Sequence, residues 1–524
     1  MPGYLALVLH AHLPFVRHPE HERFLEESWL YEAITETYLP LLELIEGWQR
    51  DRLNVRVTLS LSPTLCSMLL DPLLQSRYER HLLTRMELAE KETFRTHWDR
   101  LLKPLAEEYV ERFKRLRELY LAHDRNLVTA FSRLQQQGRL EIITCAATHA
   151  VLPLLADHPP SLRAQVLVAR DHYRACFGRD PVGIWLPECG YCPEVEPVLH
   201  EANLRWFIVD THGVLNSSPR PRFGVYAPVF TGNGLAVFGR ESETARLVWS
   251  REAGFPGDPR YRDFYRDIGH DLELDYVQPY LPSPGERGFT GIKYYRITGP
   301  DEVKEVYDPA LALAATREHA GQLLAVCVDK LRRVEDVIDR PPLITAPYDA
   351  ELFGHWWHEG PQFLDALVRE ALEGGLGLSF ITPTDYLRRH PTNQVVRPAS
   401  STWGEGGHLK VWLNEENDWI QGHLRRAQEQ FTDLARRHLE ADELTTRALH
   451  QCARELMLAQ SSDWPFILHT GTSPAYAVQR VQLHLQRFWD LHHQANTGQI
   501  NPAVLGAIEV QDNIFPKLNH LYWT

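Results

Sequence analysis

Short runs of apolar residues recur along the chain and are typical of strands that are buried on both faces of a sheet. Segments with helix-spaced apolar residues lie between several of these runs, for example Leu41, Leu42 and Ile45 ahead of the second run. Most of the runs are followed directly by polar residues. The predicted strands are residues 4–9, 55–61, 140–144, 182–186, 204–209, 343–346 and 378–381.

The alternation of predicted strands with helices indicates an α/β fold with a mainly parallel sheet. Seven or eight such strands over about 380 residues favour a closed barrel over an open sheet. A barrel of this kind carries its chemistry at the carboxyl ends of its strands. His10, Glu188, Asp210 and Asp349 fall at such ends in this interpretation.

Two stretches are predicted to lie outside the barrel. The segment between the second and third strands is charged and carries apolar residues at steps of three and four, such as Leu105, Tyr109 and Phe113, so we expect an inserted helical subdomain. A polar segment with Pro391 and Pro398 follows the last strand and is predicted to be a linker, and the chain beyond it is helix-spaced. The predicted units are residues 1–62 and 129–395 for the barrel, with a loop-rich insert near 212–290, then 63–128 for the helical insertion and 396–524 for an all-helical C-terminal domain.

Charge and composition narrow the possible partners. A formal charge of −14 opposes a nucleic-acid partner, because phosphate binding needs clustered Lys and Arg. No run approaches the ~20 apolar residues of a membrane span, and the first run lacks the basic flank of a signal peptide. Seven Cys without framework spacing fit reduced thiols, so we expect a cytoplasmic protein without membrane contact. A neutral polysaccharide meets no electrostatic barrier, and 14 Trp supply flat faces on which sugar rings can stack. No feature of the sequence specifies an oligomeric state.

Two histidines directly follow the first predicted strand, in the sequence His10-Ala11-His12. Residues two apart at a strand end face the same side, so both imidazoles can point at one site. There they could bind a metal or hydrogen-bond a sugar hydroxyl. The structural alternative is a pair of satisfied histidines at a strand terminus.

Two carboxylates also end strands beside aromatic residues. Glu188 stands three residues after Trp185, and Asp349 follows the sixth predicted strand. A carboxylate beside aromatic walls is costly unless it is paired or used. Glycoside chemistry requires such a pair, because one group attacks the anomeric carbon while the other, with a raised pKa, protonates the leaving oxygen. Glu351 lies only two residues beyond Asp349 and is either a rival to it or a surface or salt-bridged side chain.

Two further patterns favour structural interpretations. Cys189 and Cys192 have the C-x-x-C spacing of redox and metal sites. A thioredoxin-like motif opens a helix in a small βαβ domain, however, and a zinc site needs a second pair, which the sequence lacks. The Gly-rich stretch 404–407 lacks the Lys and Ser/Thr of a phosphate-binding loop, so we interpret it as a turn.

Aromatic residues cluster around the predicted linker and in one rim segment. Trp403, Trp412 and Trp419 are either the core of a domain interface or, if the helical domain covers the barrel mouth, platforms for sugar rings. The segment 248–269 is dense in Arg, Asp and aromatic residues, which is typical of a loop that lines a cleft.

Taken in order, these segments resemble glycoside hydrolase family 57, nearly from end to end of the chain. The opening His-x-His-x-Pro motif is residues 10–14, and the nucleophile motif is WLPECGY at 185–191. The acid/base motif is APYDAELFGHWW at 346–357. The second and the C-terminal motifs correspond to EIITCAATHA at 141–150 and SSDWPFILHTGT at 461–472.

The resemblance implies a retaining mechanism with Glu188 as nucleophile and Asp349 as general acid/base. It also implies a (β/α)7 barrel with a helical insertion, a C-terminal all-helical domain that contributes to the site, and no metal or organic cofactor. The residues that it nominates as substrate contacts are His10, His12, His149, Trp185, Trp356, Trp403, Trp412 and Asp463.

Within the family, residues 254–269 are more similar to the branching members than to the amylases and glucanotransferases. The similarity of this segment implies that Arg262 and Arg266 contact the substrate, and Thr472 is a further candidate. The branching members tend to carry an aromatic residue where this sequence has His270, and a Gln where it has Thr472.

The branching members also use a mobile loop with a tyrosine at its tip to keep water from the glycosyl-enzyme. The corresponding stretch here is roughly 212–240, and Tyr226 is its only tyrosine. Tyr226 is therefore the candidate for the loop residue.

The resemblance implies a transglycosylase of glycogen biosynthesis that uses α-glucan as donor and acceptor. Glu188 would attack an α-1,4 linkage, and Asp349 would protonate the departing chain and then deprotonate the 6-hydroxyl that captures the glycosyl-enzyme, giving an α-1,6 branch. A 4-α-glucanotransferase or an α-amylase would use the same carboxylates. Two further alternatives are a metal-dependent sugar deacetylase that recruits His10 and His12, and a non-catalytic glucan-binding scaffold.

Overall fold

The structure of the protein is a computed structural model that describes residues 3–250, 253–283, 285–299 and 303–524. A sheet of nine strands forms its centre within these ranges. The strands are β1 Gly3–Ala11, β2 Val57–Leu61, β3 Leu140–Cys145, β4 Gly183–Trp185, β5 Trp206–Val209, β6 Val229–Phe230, β7 Ala236–Gly239, β8 Leu343–Asp349 and β9 Leu378–Phe380.

Seven of these strands run parallel to their neighbours, in the order β7, β5, β4, β3, β2, β1, β8. The two ends of this row meet at a parallel bridge between Arg240 and Thr345, where the Glu241 N–H also donates to the Thr345 carbonyl at 3.1 Å. The predicted α/β barrel fold is therefore confirmed. Because all seven strands point the same way, their carboxyl ends form one edge.

The strand prediction was wrong at one position of the barrel. The seventh barrel strand is β7, which was not predicted, whereas the predicted strand at 378–381 is β9, which pairs only with Gly3, Tyr4 and Leu5 of β1 outside the row of seven. β7 lies within the stretch 212–290 that was interpreted as a loop-rich insert, and its short apolar run at 235–238 is bounded by Gly234 and Gly239.

Helices cover the outside of the barrel and form the rest of the chain. In the first half they are α1 Glu27–Ala33, a π-helix Ile34–Tyr38, α2 Leu39–Arg50, α3 Pro63–Leu70, α4 Pro72–Arg95, α5 Leu102–Ala122, α6 Leu127–Gln136, α7 Pro159–Phe177, α8 Glu196–Glu201, α9 Thr211–Leu215 and α10 Ser242–Trp249. In the second half they are α11 Ile268–Asp271, α12 Leu274–Val277, α13 Pro309–Val334, α14 Gly360–Glu373, α15 Pro383–Arg389, α16 Trp419–Arg437, α17 Glu443–Ala459, α18 Asp463–Thr470, α19 Pro474–Thr497 and α20 Pro502–Gln511.

The two stretches predicted to be helical are built from long amphipathic helices. Between β2 and β3, α4 and α5 pack against each other, and α5 buries Leu105, Tyr109 and Phe113 at the predicted spacing. After the linker, α16, α17 and α19 share a core that includes Phe431 and Phe488. None of the helices in the described ranges has the length and apolar character needed to cross a membrane.

A glycine lies at the packing contact between the segment after β8 and the π-helix. Gly354 has φ +121°, and a Cβ atom there would lie 1.8 Å from the carbonyl oxygen of Glu36. The π-helix therefore packs directly on the backbone that follows Asp349. Only glycine satisfies both the positive φ and the close backbone contact at this position.

We predict that Gly354→Ala lowers the free energy of unfolding by more than about 2 kcal/mol, because the Cβ overlaps backbone that has no room to shift. Urea denaturation measures this change. The matched control is Gly422→Ala in α16, where a Cβ meets nothing within 4 Å, and helix propensity predicts a gain of about 0.5–1 kcal/mol. Equal effects of the two substitutions would contradict this account of Gly354.

Candidate active site

The carboxyl edge of the barrel brings together residues from distant parts of the sequence. In the strand register, His10 of β1 lies opposite Ser60 of β2 on one side and opposite Asp349 of β8 on the other. Glu188 follows β4 by three residues, and His149 follows β3 by four. The sequence predicted this grouping of the histidines with the two carboxylates.

The backbone at Glu188 is held in an unusual conformation. Glu188 and Cys189 have φ of 61° and 50°, in the left-handed region, and His149 has φ of 57°. Each such residue costs about 1–3 kcal/mol and persists only where its surroundings hold it. The Trp403 N–H donates to the Glu188 carbonyl at 3.0 Å, and the Ser462 N–H donates to the His149 carbonyl at 3.1 Å. Backbone from the last quarter of the chain thus holds both turns.

The Glu188 carboxylate accepts two side-chain hydrogen bonds. Trp403 Nε1 donates to Oε2 at 2.8 Å, and Ser462 Oγ donates to Oε1 at 3.1 Å. His149 Nδ1 lies 3.7 Å from Oε1. Burial raises the pKa of Glu188 to about 7, and the two donors oppose this rise because they stabilise the charged form. Glu188 is therefore ionised in a substantial fraction of molecules at neutral pH.

Asp349 has a different environment. Burial raises its pKa well above the usual range, and the neighbouring Glu351 and Glu188 raise it further, while Arg240 lowers it. No side chain in the described part of the chain donates a hydrogen bond to this carboxyl. When one proton is shared between the pair, it therefore resides on Asp349 and Glu188 is the ionised partner.

Glu351 is occupied by structural contacts. Its Oε1 accepts from the backbone N–H of His12 at 3.1 Å and from the Tyr38 hydroxyl of the π-helix. Burial raises its pKa to about 7. These contacts hold the backbone of the His12 segment, so Asp349 is better placed than Glu351 to serve as a catalytic acid.

Each of the three site histidines is oriented by a serine hydroxyl. In each histidine Nδ1 contacts a serine hydroxyl, so Nε2 is directed toward the other site residues. The contacts are His10 Nδ1 to Ser60 Oγ at 3.0 Å, His12 Nδ1 to Ser62 Oγ at 2.9 Å and His149 Nδ1 to Ser462 Oγ at 2.7 Å.

The imidazole rings form a stack. His10 lies on Trp185 with 4.5 Å between ring centroids, and His12 lies on His149 with 3.8 Å between centroids and 10° between ring planes. Burial lowers the pKa of His10 and of His149 well below the usual value, and the neighbouring imidazoles contribute to this. Neutral imidazoles can donate and accept hydrogen bonds, which suits a neutral sugar.

Two clusters at this site contain enough ligand atoms for a metal ion. In the first, which is His10, Cys145 and His149, the two Nε2 atoms are hydrogen-bonded to each other at 2.9 Å, and burial raises the pKa of the Cys145 thiol well above its usual value, which opposes the thiolate that a metal binds. The second cluster includes Asp463. His12, His149 and Asp463 have nitrogen or carboxylate oxygen atoms within 4.8 Å of one another. Metal ligation uses a lone pair in the ring plane at about 2.0–2.1 Å, and the planes of two stacked, nearly parallel rings do not converge on one ion. His12 Nε2 instead pairs with Asp463 Oδ2 at 3.1 Å. The geometry fits hydrogen bonding better than chelation.

Asp463 has a lowered pKa although it is buried. Burial favours its neutral form, but His12 and then His149 outweigh it and lower the pKa below the usual value. Cys189 and Cys192, the other candidates for metal or redox chemistry, are buried free thiols in two separate core clusters. The redox interpretation of their spacing gains no support from this arrangement.

The predicted aromatic contacts have different positions. Trp403 is partly exposed, and its ring lies 5.1 Å from Trp185 and 5.8 Å from Trp249, which is 40% exposed. Trp185 and Trp412, which were predicted as substrate contacts, are 0% and 1% exposed and belong to the core. Trp185 supports His10 from beneath, and Trp412 packs against Gly404 beside Trp403.

The two arginines that were predicted to contact substrate form hydrogen bonds and ion pairs with other residues of the protein. Arg262 is buried and donates to the Tyr109 hydroxyl at 2.8 Å, with Glu36 at 3.6 Å. Arg266 pairs with Asp271 at 2.9 Å and is only partly exposed. Their contact with substrate stays a prediction, and Arg262 is the less accessible of the two.

Trp356 and Thr472 are accessible. Trp356 is 54% exposed, and its ring contacts Phe264 at a 30° tilt with 4.7 Å between centroids. Its contact with substrate stays a prediction. Thr472 lies just after α18, where its hydroxyl contacts that of Thr470 at 2.9 Å. His270 is exposed at the rim and meets the ring of Phe289 edge-on at 5.2 Å.

Tyr226 does not lie at the mouth of the barrel. Its carbonyl accepts from the N–H of Leu343, the first residue of β8. Asp349 is six residues further along the same strand, about 20 Å away at ~3.3 Å per residue. The structure thus places Tyr226 beside the amino end of the sheet, which is inconsistent with the tip of a loop over the site.

Sequence reasoning missed five residues of the site: Ser60, Ser62, Ser462, Arg240 and Trp249. Ser60 and Ser62 lie at the end of β2, where a hydroxyl beside the apolar run gave no signal of its own. Ser462 lies in the matched C-terminal motif, but its hydroxyl gave no signal beside the carboxylate that follows it. Arg240 follows β7, the strand that was not predicted. Trp249 lies in the predicted rim, and only its approach to Trp403 distinguishes it from the other aromatic residues there.

Two family models match the chain. One, described as glycosyl hydrolase family 57, matches residues 6–398, and one described as 1,4-alpha-glucan branching enzyme, C-terminal, matches residues 423–523. The second match contains Ser462 and Asp463, which are part of the site.

Known proteins are similar over nearly the whole chain. The 1,4-alpha-glucan branching enzyme TK1436 of Thermococcus kodakarensis is 32% identical over 98% of this chain and 78% of its own length. A branching enzyme structure from Pyrococcus horikoshii superposes with a TM-score of 0.90 at 30% identity, over 100% of this chain and 97% of that one. The structure of the alpha-amylase AmyC from Thermotoga maritima gives a TM-score of 0.93 at 42% identity, over 100% and 99%.

These matches cover both the barrel that carries Glu188 and Asp349 and the helical region that carries Ser462. The chain belongs to glycosyl hydrolase family 57.

Proposed function

We propose that the protein is a 1,4-α-glucan branching enzyme, a retaining transglycosylase that makes α-1,6 branches. The observation that carries the proposal is the unequal stabilisation of two buried carboxylates: Glu188 accepts two hydrogen bonds, whereas Asp349 keeps a strongly raised pKa. One of the two donors lies in the region that matches the branching-enzyme C-terminal model, and two of the similar proteins named above are branching enzymes.

In the first step, Glu188 attacks the anomeric carbon of an α-1,4-linked glucan. Asp349 gives its proton to the departing glycosidic oxygen, so the bond to that oxygen breaks as the bond to Glu188 forms. His10 and His149, whose pKa values are lowered, are neutral donors and acceptors, and His12 lies at the same edge. Their ring nitrogens suit the hydroxyls of the sugar that is cleaved. Asp463 orients His12 through its hydrogen bond.

In the second step, Asp349 is a carboxylate and acts as general base. It takes the proton from the 6-hydroxyl of an acceptor glucan, whose oxygen then displaces Glu188 from the anomeric carbon. The product is an α-1,6 branch, and both carboxyl groups regain their initial protonation states. We further propose that the enzyme works in glycogen synthesis in the cytoplasm, because its seven cysteines are free thiols, as is usual in a reducing compartment.

An α-amylase is the second candidate, because the structure with 42% identity is described as an alpha-amylase. Hydrolysis would use the same first step, with water in place of the acceptor hydroxyl. The exposed rings of Trp249 and Trp356 favour transfer, since they offer stacking surfaces for more than one glucan segment. Only the products distinguish the two activities.

We predict that incubation with amylose yields α-1,6 branches. Treatment of the product with a debranching enzyme should release new short chains, with few new reducing ends before that treatment. Reducing ends that accumulate without any debranchable chains would identify an α-amylase and contradict the proposal.

Carboxylate variants are the controls for this assay. Glu188→Gln and Asp349→Asn should lower branch formation by several orders of magnitude, because each step requires both groups. Glu141→Gln is the matched control, since Glu141 is a buried carboxylate with a raised pKa at the amino end of β3. It should remain active.

We predict that Trp403→Phe moves the acidic limb of the kcat/KM profile to higher pH. Glu188 must be ionised to attack, so activity rises as the pH passes its pKa, about 7 in the free enzyme. Removing the indole donor takes away a contact that lowers this pKa. Trp249→Phe leaves that donor in place and should leave the limb unmoved. If the acidic limb of Trp403→Phe stays at the wild-type pH or moves to lower pH, the indole does not stabilise the ionised carboxylate.

A further inference from the structure

Arg240 occupies the point at which the barrel closes. It follows β7, forms the bridge to Thr345 of β8, and its N–H donates to the Val209 carbonyl at 3.0 Å. The Thr211 hydroxyl donates to the Arg240 carbonyl at 2.8 Å. The backbone of Arg240 is therefore held from three sides, and its side chain starts from a fixed position at the carboxyl edge of the barrel.

The side chain of Arg240 is partly buried and has few partners. It is 12% exposed, and in its one described hydrogen bond Nη1 donates to Asp210 Oδ2 at 3.3 Å. Its guanidinium carbon lies 5.4 Å from the ring centroid of Trp403. Nε has no hydrogen-bond partner among the described residues. An arginine with five donors and one long hydrogen bond is not explained by a structural ion pair alone.

Arg240 lies beside the catalytic pair. It bridges to Thr345 of β8, the strand that ends at Asp349. Its guanidinium lies against the ring of Trp403, whose indole donates to Glu188. Arg240 is the cation among the groups that influence Asp349, and it opposes the effect of burial and of two carboxylates. Asp349 must form a buried carboxylate once it has protonated the leaving group, and a nearby positive charge stabilises that state. The charged and titratable groups that face Asp349 are Glu188, Glu351, Arg240, Tyr38, Cys189 and, in the strand register, His10.

We propose that Arg240 is a positioning residue for the general acid/base. Asp210 and the face of Trp403 hold its guanidinium at the closure of the barrel, where its positive charge makes the proton of Asp349 available to the leaving glucan. This inference rests on the proposed roles of Glu188 and Asp349, and it holds whether the glycosyl group is passed to a glucan or to water.

The charge acts in the first step. Asp349 passes its proton to the glycosidic oxygen and keeps the electron pair of the O–H bond, so it becomes an anion that faces Glu351 and Arg240. Without the guanidinium, this anion has no cation near it in the described structure. Asp349 then holds its proton more tightly and becomes a weaker acid, while Glu188 keeps its two donors.

The test uses two glycosyl-donor substrates that differ in how much their leaving group needs protonation by a general acid. Amylose requires protonation of its leaving oxygen, whereas fluoride leaves from α-maltosyl fluoride with little help from an acid. We expect Arg240→Gln to lower turnover of amylose by about 10²-fold and to move the basic limb of kcat/KM to higher pH. Single-turnover release of fluoride should fall by less than about 3-fold. Arg240→Lys, which keeps a positive charge, should recover part of the amylose activity and of the basic limb.

Arg56→Gln is the matched control. Arg56 precedes β2 at the opposite end of the barrel, pairs with Asp385, and likewise has a buried Nε without a described partner. The pH profile of the Arg56→Gln variant should equal that of the wild type.

Two results for Arg240→Gln would overturn the inference: an unchanged basic limb, or equal losses of activity on amylose and on α-maltosyl fluoride. If Arg240→Gln does not fold, the neutral Arg240→Met is measured in the same way. A wild type that cleaves amylose but makes no branches refutes the proposed function and leaves the Arg240 test intact.

Discussion

A buried carboxylate needs hydrogen-bond donors in order to ionise, and in this protein the donors for Glu188 come from outside the barrel. Trp403 lies in the segment after the last strand, and Ser462 lies between α17 and α18. Burial and the nearby Asp463 raise the pKa of Glu188, so without these donors both carboxyls of the pair would be largely protonated at neutral pH. The catalytic pair therefore depends on the docking of the C-terminal helices on the barrel.

The same docking supports the rest of the site. Ser462 also holds His149, and Asp463 holds His12, so two adjacent residues at the start of α18 orient two of the three imidazoles. The left-handed backbone of Glu188 and His149 is held by hydrogen bonds from the same two segments. The barrel presents the reacting groups, and the helical region sets their protonation and orientation.

The sequence predicted the parts of the fold and site that local patterns encode. Six of the seven barrel strands are apolar runs and could be found, whereas β7 lies in the stretch 212–290 that was interpreted as a loop-rich insert. His10, Glu188 and Asp349 lie at strand ends and were found for that reason, and the ordered motifs then selected their roles.

Burial could not be inferred from residue type, so Trp185 and Trp412 were predicted as contacts although both belong to the core. Tyr226 was selected as the only tyrosine of its stretch, and no local pattern shows that it lies at the amino end of the sheet. The serine that holds both His149 and Glu188 depends on a tertiary contact between residues more than 270 positions apart.

The central claim is that Glu188 is the nucleophile, with Asp349 as its acid/base partner. The most direct measurement uses Asp349→Asn with α-maltosyl fluoride, because fluoride departs without an acid and the variant has no base to release the bound sugar. Peptide mass spectrometry of the quenched protein should find the maltosyl group on the peptide that contains residues 185–191, attached to Glu188. A maltosyl group on any other residue, or a variant that releases fluoride without a covalent adduct, would contradict the account.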